Sequence, residues 1–363
     1  MIPRHLLRTR LPPLVAAAAF CAAVLVPAQT QSPGTFAHHI ASLSEPGGYF
    51  DTDNLISNEA SYAHVLSKLA DRKIRGGAYI GVGPDQNFTY IAATRPSLAF
   101  IVDIRRDNML LHLLFKALFE LAPTRVAYLA LLFGQNPPPD SAEWQRAPIE
   151  RILSHVESRR SADAEIASVR ARVDAALVRF GVALSDEDRH TIDRFHRRFV
   201  QAGTSLRFQS IGRTPRSYYP TYRDLLVARD SSGRGSFLAF EDGFQFVRDL
   251  QRRNLVVPVV GDVSGPKALG AIGQFLRDRN ERLSTFYISN VEFYLFRDDR
   301  FQRYLANLGR VPHHQNAVII RSVFGPYASS LGTDYSSSHV QAYDELLDRA
   351  KRGSINYYTD LLR

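Results

Sequence analysis

The sequence predicts an α/β protein with a mostly parallel sheet, helices on both faces of that sheet and a helical insertion. Short apolar stretches such as 76–83 and 97–104 end in glycine or aspartate, as expected for strands that are buried on both faces. Helical patterns alternate with these stretches four or five times along the chain. Such an alternation is typical of βαβ units, whose parallel strands form one continuous sheet.

Residues 1–28 have the three parts of a secretory signal peptide. An apolar run at 14–26 follows three basic residues, and small residues close the segment at 26–28. The run is shorter than the roughly 20 residues that a spanning helix needs. We therefore expect export, to the periplasm or outside the cell, and no transmembrane helix in the mature protein. A membrane anchor is the alternative interpretation.

The chain has one cysteine, Cys21, and it lies inside this segment. Lipid anchoring through Cys21 is less favoured than soluble export, because Phe20 before it is bulky where such sites take a small residue. Without Cys21 the mature chain has no thiol, which excludes disulfides, a thiol nucleophile and cysteine zinc ligands.

The net charge of +9 is a mild basic bias, part of it from the arginines of the signal. No aromatic-basic motif accompanies this bias, so a solvated surface is favoured over nucleic-acid binding. Adjacent histidines at 38–39 and 313–314 point to opposite faces of an extended chain, and no metal site is predicted. The sequence leaves the oligomeric state open.

The residues after the signal are predicted to form a flexible leader, 29–45, and one α/β domain, 46–363. Within this domain a proline-rich loop opens a helical insertion at about 135–203, rich in Arg, Asp and Glu. Ser185 and Asp188 have the spacing of a capping box at the start of one of its helices.

Two later segments also receive predictions. A hairpin is predicted at about 222–240, around the turn Asp230–Gly233. The tail from Ser336 is predicted to be mostly helical.

The strongest candidate site follows the first two strands. Gly81 and Gly83 stand where the first strand ends, and glycine there permits positive φ and a close ligand. A helix that starts near Asp85 would turn its free N–H groups toward the ligand. Asp103 ends the second strand, 22 residues after Gly81, and Ile104 follows it. An acid at this place can accept hydrogen bonds from ribose hydroxyls.

The dinucleotide signature G-x-G-x-x-G is incomplete, because its third glycine would fall at Gln86. Asp85 would also repel a pyrophosphate. A ligand that has a ribose and no phosphate, such as S-adenosylmethionine, avoids both objections, and its positive groups tolerate a carboxylate. The alternative is that the glycines only form a tight turn and that Asp103 only caps a helix.

Polar residues also follow the third and fourth strands. Asp262, with Val263 beside it, is placed to meet an adenine amino group. Ser289, Asn290 and Glu292 follow the fourth strand, and we expect Asn290 and Glu292 to orient or deprotonate a methyl acceptor. The carboxyl ends of parallel strands meet at one edge, where ligands bind in open α/β sheets. The alternative for each residue is a turn or a cap.

Four stretches carry a resemblance to a known family: GGAYIGVGPDQNFTYIAA, FIVDIRRDNMLLHLLFKALFELAPTR, VPVVGDVSGPKA and FYISNVEFYLF. They resemble a family of exported bacterial proteins and lipoproteins of unassigned activity, similar in fold to S-adenosylmethionine-dependent methyltransferases. The resemblance covers nearly all of the chain after the signal. It implies a Rossmann-like, methyltransferase-type sheet, with Gly81 and Gly83 in the glycine loop, Asp103 as the ribose acid and Asp262 as the adenine-side acid.

Two functions follow from these observations. The first is binding of S-adenosylmethionine or a related nucleoside, with methyl transfer to an unknown acceptor. The second is a non-catalytic envelope protein that kept the fold and binds a small ligand or a partner. Export favours another ligand than S-adenosylmethionine, or none, because this charged metabolite is made in the cytosol and does not cross membranes freely.

Overall fold

The computed structural model describes residues 30–214, 216–298, 300–328 and 335–362, so the predicted signal peptide lies outside the described residues. Six strands in this part form one sheet: β1 (Ala78–Gly81), β2 (Leu98–Asp103), β3 (Val256–Val260), β4 (Leu283–Ser289), β5 (His313–Phe324) and β6 (Ser336–Ala342). The helices are α1 (Pro33–Leu43), α2 (Leu66–Asp71), α3 (Gln86–Thr94), α4 (Arg106–Leu121), α5 (Arg125–Leu132), α6 (Ala142–Arg146), α7 (Ile149–Glu157), α8 (Asp163–Arg179), α9 (Asp186–Ala202), α10 (Tyr222–Val227), α11 (Glu241–Arg252), α12 (Ala268–Asp278), α13 (Val291–Arg297), α14 (Phe301–Leu308) and α15 (Tyr343–Lys351).

The sheet has the order β3-β2-β1-β4-β5-β6. The four pairs from β3 to β5 are parallel, and β6 runs antiparallel to β5. The α/β class is thus confirmed, with a mixed sheet. Strand β6 lies where the sequence predicted a mostly helical tail. Its serines have low strand propensity, so the strand depends on pairing with β5 rather than on local preference.

The order of the strands reverses beside β1. The chain passes from β1 outward to β2 and β3, and then returns to place β4 on the other side of β1. Right-handed crossovers therefore put α3 and α4 on one face of the sheet, and α12 and α14 on the other. The loops that follow β1 and β4 diverge at this point, which opens a crevice at the carboxyl ends of the strands.

Helix α4 is apolar around most of its circumference because it is covered on two sides. It packs on β2 and β3 toward the sheet and on α8 and α9 toward the outside. The last two belong to the helices α6 to α9, which the chain forms between β2 and β3 in the range predicted as an insertion. The capping box at the start of α9 is confirmed, since Asp188 N–H donates to Ser185 Oγ at 3.1 Å and Ser185 N–H donates to Asp188 at 2.9 Å.

The predicted flexible leader, residues 29–45, contains helix α1 instead. Ser32 Oγ caps the helix by accepting from Thr35 N–H at 3.2 Å, and Pro33 occupies the first helical position. Phe36, Ile40 and Leu43 are buried on one side, and α1 packs against β3. Their spacing of four and three residues is an amphipathic signal, which the polar residues between them obscured.

The predicted hairpin at 222–240 is also different in the structure. Its first half is helix α10, which a capping box of Thr221 and Asp224 initiates. The turn at 230–233 is present, but a single bridge between Arg229 and Gly235 replaces two paired strands. Leu225 and Leu226 gave the segment the apolar run of a strand, whereas the capping box selected a helix.

Candidate functional site

A cavity of about 480 Å³ lies at the carboxyl ends of the strands. Residues that follow β1, β2, β3 and β4 line it, as expected for the point where the strand order reverses. Seven of the ten residues predicted from the sequence are among the lining residues: Gly83, Asp103, Ile104, Asp262, Val263, Ser289 and Asn290. Gly81, Asp85 and Glu292 lie outside this lining. The volume suits a ligand of the size of a nucleoside derivative.

Residues 49–59 form one wall of the cavity without filling it. The backbone before this wall is tied to the strand ends, because Glu45 N–H donates to Val260 O at 2.9 Å and Gly48 N–H donates to Ile104 O at 2.7 Å. A Cβ atom at Gly48 would stand 2.7 Å from the Ile104 side chain, so only glycine fits this approach. The segment therefore closes the crevice on one side and leaves an interior space.

Gly83 and Gly81 do different things in the loop after β1. Gly83 lines the cavity and has φ +81°, a conformation that favours glycine. Gly81 makes room for a side chain of the protein, since a Cβ atom there would lie 1.9 Å from Asn87 Oδ1. Asn87 Nδ2 in turn donates to Val82 O at 2.9 Å and to Pro84 O at 2.7 Å. This arrangement holds the loop in a fixed position beside the cavity.

His112 on α4 braces the same loop from behind. Its Nε2 atom lies 2.8 Å from Gly83 O, which requires that Nε2 carry the proton and donate it. Burial lowers the pKa of His112 to about 4, so the ring is neutral near pH 7. The ring acts as a structural donor that fixes the carbonyl of Gly83.

Asp103 reaches the cavity with one carboxylate oxygen committed. Oδ1 accepts from the backbone N–H of Arg105 at 2.9 Å and lies 3.4 Å from Nε of the same arginine. Among the described residues Oδ2 has no hydrogen-bond partner. The Arg105 guanidinium is turned toward the wall, where it donates to Thr52 O at 2.8 Å. Asp103 thus presents a free acceptor to the cavity, on the same lining as Gly83.

Asp262 lines the cavity, but both of its oxygens are engaged. Oδ1 accepts from the N–H and the hydroxyl of Ser264, each at 2.8 Å. Oδ2 accepts from the guanidinium of Arg300 at 2.8 Å. A ligand amino group would have to share these oxygens, which makes Asp262 a weaker acceptor than the sequence suggested. Ile104 and Val263 add apolar surface to the same part of the cavity.

Asp85 and Glu292 are held by other parts of the protein. Asp85 accepts from Tyr222 Oη at 2.7 Å, and burial raises the pKa of Asp85 to about 7. Glu292 is 1% exposed and pairs with Arg321 through two contacts of 2.6 and 3.2 Å. These contacts fix both carboxyl groups in the protein, so Glu292 is not available to a methyl acceptor in this arrangement.

Glu59 is a lining residue that sequence reasoning missed. It is 1% exposed, and it stands in an irregular stretch where no strand end or motif marks it. Its carboxylate accepts from Gln86 Nε2 at 2.7 Å, from Tyr287 Oη at 2.8 Å and from Ser322 Oγ at 2.5 Å, and Ser289 Oγ also donates to it. All four donors come from the N-terminus of α3 or from strands β4 and β5, and the three on the strands are 228 to 263 residues from Glu59 along the chain.

Aromatic side chains form much of the remaining wall. Eleven of the 36 lining residues are Phe or Tyr, which is nearly a third of the lining, whereas aromatic residues make up 11% of the whole sequence. Nine of the eleven lie in two groups of contacting rings. One group includes Phe208, Tyr219, Phe324 and Tyr335, which Tyr218 joins, and the other includes Phe50, Phe293, Tyr294, Tyr327 and Tyr358. Such walls favour flat or cationic ligand groups.

Among the described residues, no group of three or more His, Cys, Asp or Glu side chains is placed to hold a metal ion. None of the helices in the same part of the chain has the length and apolarity needed to cross a membrane.

Comparison with known proteins gives one family. The family model described as a domain of unknown function, DUF7790, matches residues 54–360, which include all six strands and all but four of the residues that line the cavity. A comparison with curated proteins gives no match.

Proposed function

This chain belongs to the DUF7790 family, a domain of unknown function, and we propose that its cavity binds S-adenosylmethionine or a related nucleoside. The observation that carries the proposal is Oδ2 of Asp103, which has no hydrogen-bond partner among the described residues and belongs to the same lining as the loop of Gly83. A carboxylate oxygen without a protein partner is the acceptor that a ribose hydroxyl requires. Ile104 and Val263 provide apolar contact for a base.

The order of the sheet also supports a methyltransferase-type fold. Strands β3-β2-β1-β4-β5 run parallel with the reversal beside β1, and the cavity opens at their carboxyl ends. Doubly wound sheets bind nucleosides at this reversal. S-adenosylmethionine, when bound, would supply an electrophilic methyl group. The protein would then contribute mainly alignment, because such a transfer needs few catalytic side chains. Ser289 and Asn290 are the lining residues proposed to orient an acceptor.

The second candidate is a ligand-binding protein without catalysis. The observation that favours it is the chemistry of the lining, which contains no His, Lys or Cys among the described residues. Glu292, the base expected from the sequence, is held by Arg321. In this case the aromatic walls and the polar strand ends bind a small molecule, and no reaction follows.

Calorimetry of the mature protein with S-adenosylmethionine and S-adenosylhomocysteine tests the first candidate. We expect binding in the wild type and at least a tenfold loss of affinity in Asp103→Ala. Asp107→Ala is the matched control, because that aspartate lies four residues away, its side chain is 48% exposed and it does not line the cavity. The absence of binding at millimolar ligand, or equal losses in both variants, would contradict the proposal.

Turnover separates the two candidates once binding is established. Incubation with S-adenosylmethionine and a mixture of small acceptors, followed by mass spectrometry, would reveal S-adenosylhomocysteine and a product heavier by one methylene group. Binding without either product favours the non-catalytic candidate.

We also propose that the protein is exported and that its signal ends near Ala28. The basic, apolar and small-residue parts of residues 1–28 support this proposal. N-terminal sequencing of the protein from a periplasmic or culture fraction tests it. A mature N-terminus near residue 29 is expected, and an intact Met1 in the cytosolic fraction would contradict it.

A further inference from the structure

The charges that line the cavity balance in number, but not all of them form ion pairs. The lining includes four carboxylates and four guanidinium groups: Asp51, Glu59, Asp103, Asp262, Arg105, Arg213, Arg216 and Arg300. Three ion pairs account for six of them, namely Asp51 with Arg213, Asp103 with Arg105, and Asp262 with Arg300. Among the described residues this leaves Glu59, which is buried, and Arg216, which is exposed.

The four hydrogen bonds to Glu59 satisfy its oxygens without neutralising its charge. A carboxylate has about four acceptor positions, and an amide, a phenol and two serine hydroxyls occupy them. All four donors are uncharged. No cation of the described residues forms an ion pair with Glu59, so a buried negative charge remains on the cavity lining. In a site of low dielectric, such a charge attracts a cation far more strongly than an exposed carboxylate does.

The surroundings of Glu59 also favour a cation. The Tyr287 hydroxyl donates a hydrogen bond to Glu59, and Tyr287 also lines the cavity. Ten other Phe and Tyr side chains line the same cavity, and aromatic ring faces attract ammonium and sulfonium groups. Arg216 is exposed and in water, where its repulsion of a cation is screened.

We propose that the part of the cavity next to Glu59 binds a positively charged group of a small molecule, an amine or a sulfonium. The proposal names the kind of ligand group that the cavity binds. It rests on the proposed function, which makes this cavity the ligand site. The charge has two possible sources, the nucleoside cofactor or an amine acceptor. Both have the same chemistry, and both would place the cation against the aromatic walls, near the Glu59 carboxylate and attracted by its charge rather than by a direct hydrogen bond.

Two pairs of probes, each matched in shape and different in charge, test the proposal by calorimetry. Benzylamine and benzyl alcohol represent an acceptor, while S-adenosylmethionine and the neutral S-adenosylhomocysteine, whose sulfur carries no charge, represent the cofactor. We expect the charged member of at least one pair to bind tenfold or more tightly than the neutral member. In Glu59→Gln this preference falls below threefold. In Asp51→Asn, which removes another lining carboxylate, it persists.

The pair that shows the preference identifies the source of the charge. The proposal is overturned if neither pair shows a preference, or if Glu59→Gln keeps it. If Glu59→Gln does not fold, the position of the preferred cation in a soaked crystal of the wild type tests the proposal instead. The cation next to Glu59 supports the proposal, and the cation next to another carboxylate overturns it. Failure of the nucleosides to bind, with an amine preference that depends on Glu59, would reject the proposed cofactor and retain this inference.

Discussion

The acidic residues around the cavity divide into two kinds, although all of them are buried or half-buried. Asp262 and Glu292 are held by the guanidinium groups of Arg300 and Arg321. Asp103 is paired with Arg105 through Oδ1 only, and among the described residues its Oδ2 has no partner and Glu59 has only uncharged partners. The comparison teaches that the position of an acid after a strand does not decide its availability to a ligand. The side chains that contact the acid decide whether it is available, and they can come from a distant part of the chain.

The largest effect is expected where an arginine-held acid loses its partner. Arg321→Met leaves the Glu292 charge buried and unpaired, which costs about 3–5 kcal/mol in the free energy of unfolding. Urea denaturation measures this loss. Arg95→Met is the control, because its partner Asp242 is 75% exposed and such pairs contribute at most about 1 kcal/mol. Similar losses of stability in both variants would show that the buried Glu292–Arg321 pair contributes no more than an exposed ion pair.

A smaller effect is expected from the titration of His112. The pKa of this ring is about 4 in the folded protein and 6.5 as its ordinary value. The unfolded chain therefore binds more protons between these limits, so stability is complete above pH 6.5 and is lost as the pH falls toward 4. The shift corresponds to about 3 kcal/mol. His112→Gln should lack this part of the pH dependence in urea denaturation at pH 4–7, and a variant that follows the wild type would contradict it.

Substitutions of the two glycines after β1 separate an effect on stability from an effect on ligand binding. Gly81→Ala forces a Cβ atom against Asn87, and overpacking of this kind costs about 1–3 kcal/mol. Gly83→Ala retains φ +81° at a cost of about 1–2 kcal/mol and adds a methyl group to the lining. We expect Gly83→Ala to weaken nucleoside binding more than its loss of stability suggests. Denaturation and calorimetry on both variants compare the two losses.

The smallest effect is expected at Asp262. Because Ser264 and Arg300 occupy both oxygens, Asp262→Asn should change nucleoside affinity by less than threefold. Asp103→Ala, measured by the same calorimetry, should lose tenfold or more. If the order of these two losses were reversed, the availability of an oxygen would not be the property that selects the binding acid.

The sequence predicted those features that are local. Apolar strands ended by glycine or aspartate indicated the α/β sheet, and the crevice rule brought Gly83, Asp103, Asp262 and Asn290 to one cavity. These predictions depend only on where each strand ends.

The features that sequence reasoning missed depend on contacts between distant segments. Glu59 stands in an irregular stretch, and its partners Gln86, Tyr287 and Ser322 come from three other elements. The arginine that holds Glu292 is 29 residues further along the chain. Strand β6 was missed for a related reason, since it is stabilised by pairing with β5 rather than by its own composition. Helix α1 was missed although it has local signals, namely the cap at Ser32, Pro33 and the spacing of its buried apolar residues.

A crystal of the protein soaked with S-adenosylhomocysteine is the decisive experiment for the Asp103 site. We expect electron density in the cavity, with a ribose hydroxyl within hydrogen-bond distance of Asp103 Oδ2 and the loop of Gly83 beside the ligand. An empty cavity at millimolar ligand, or a ribose bound away from Asp103, would contradict the proposal.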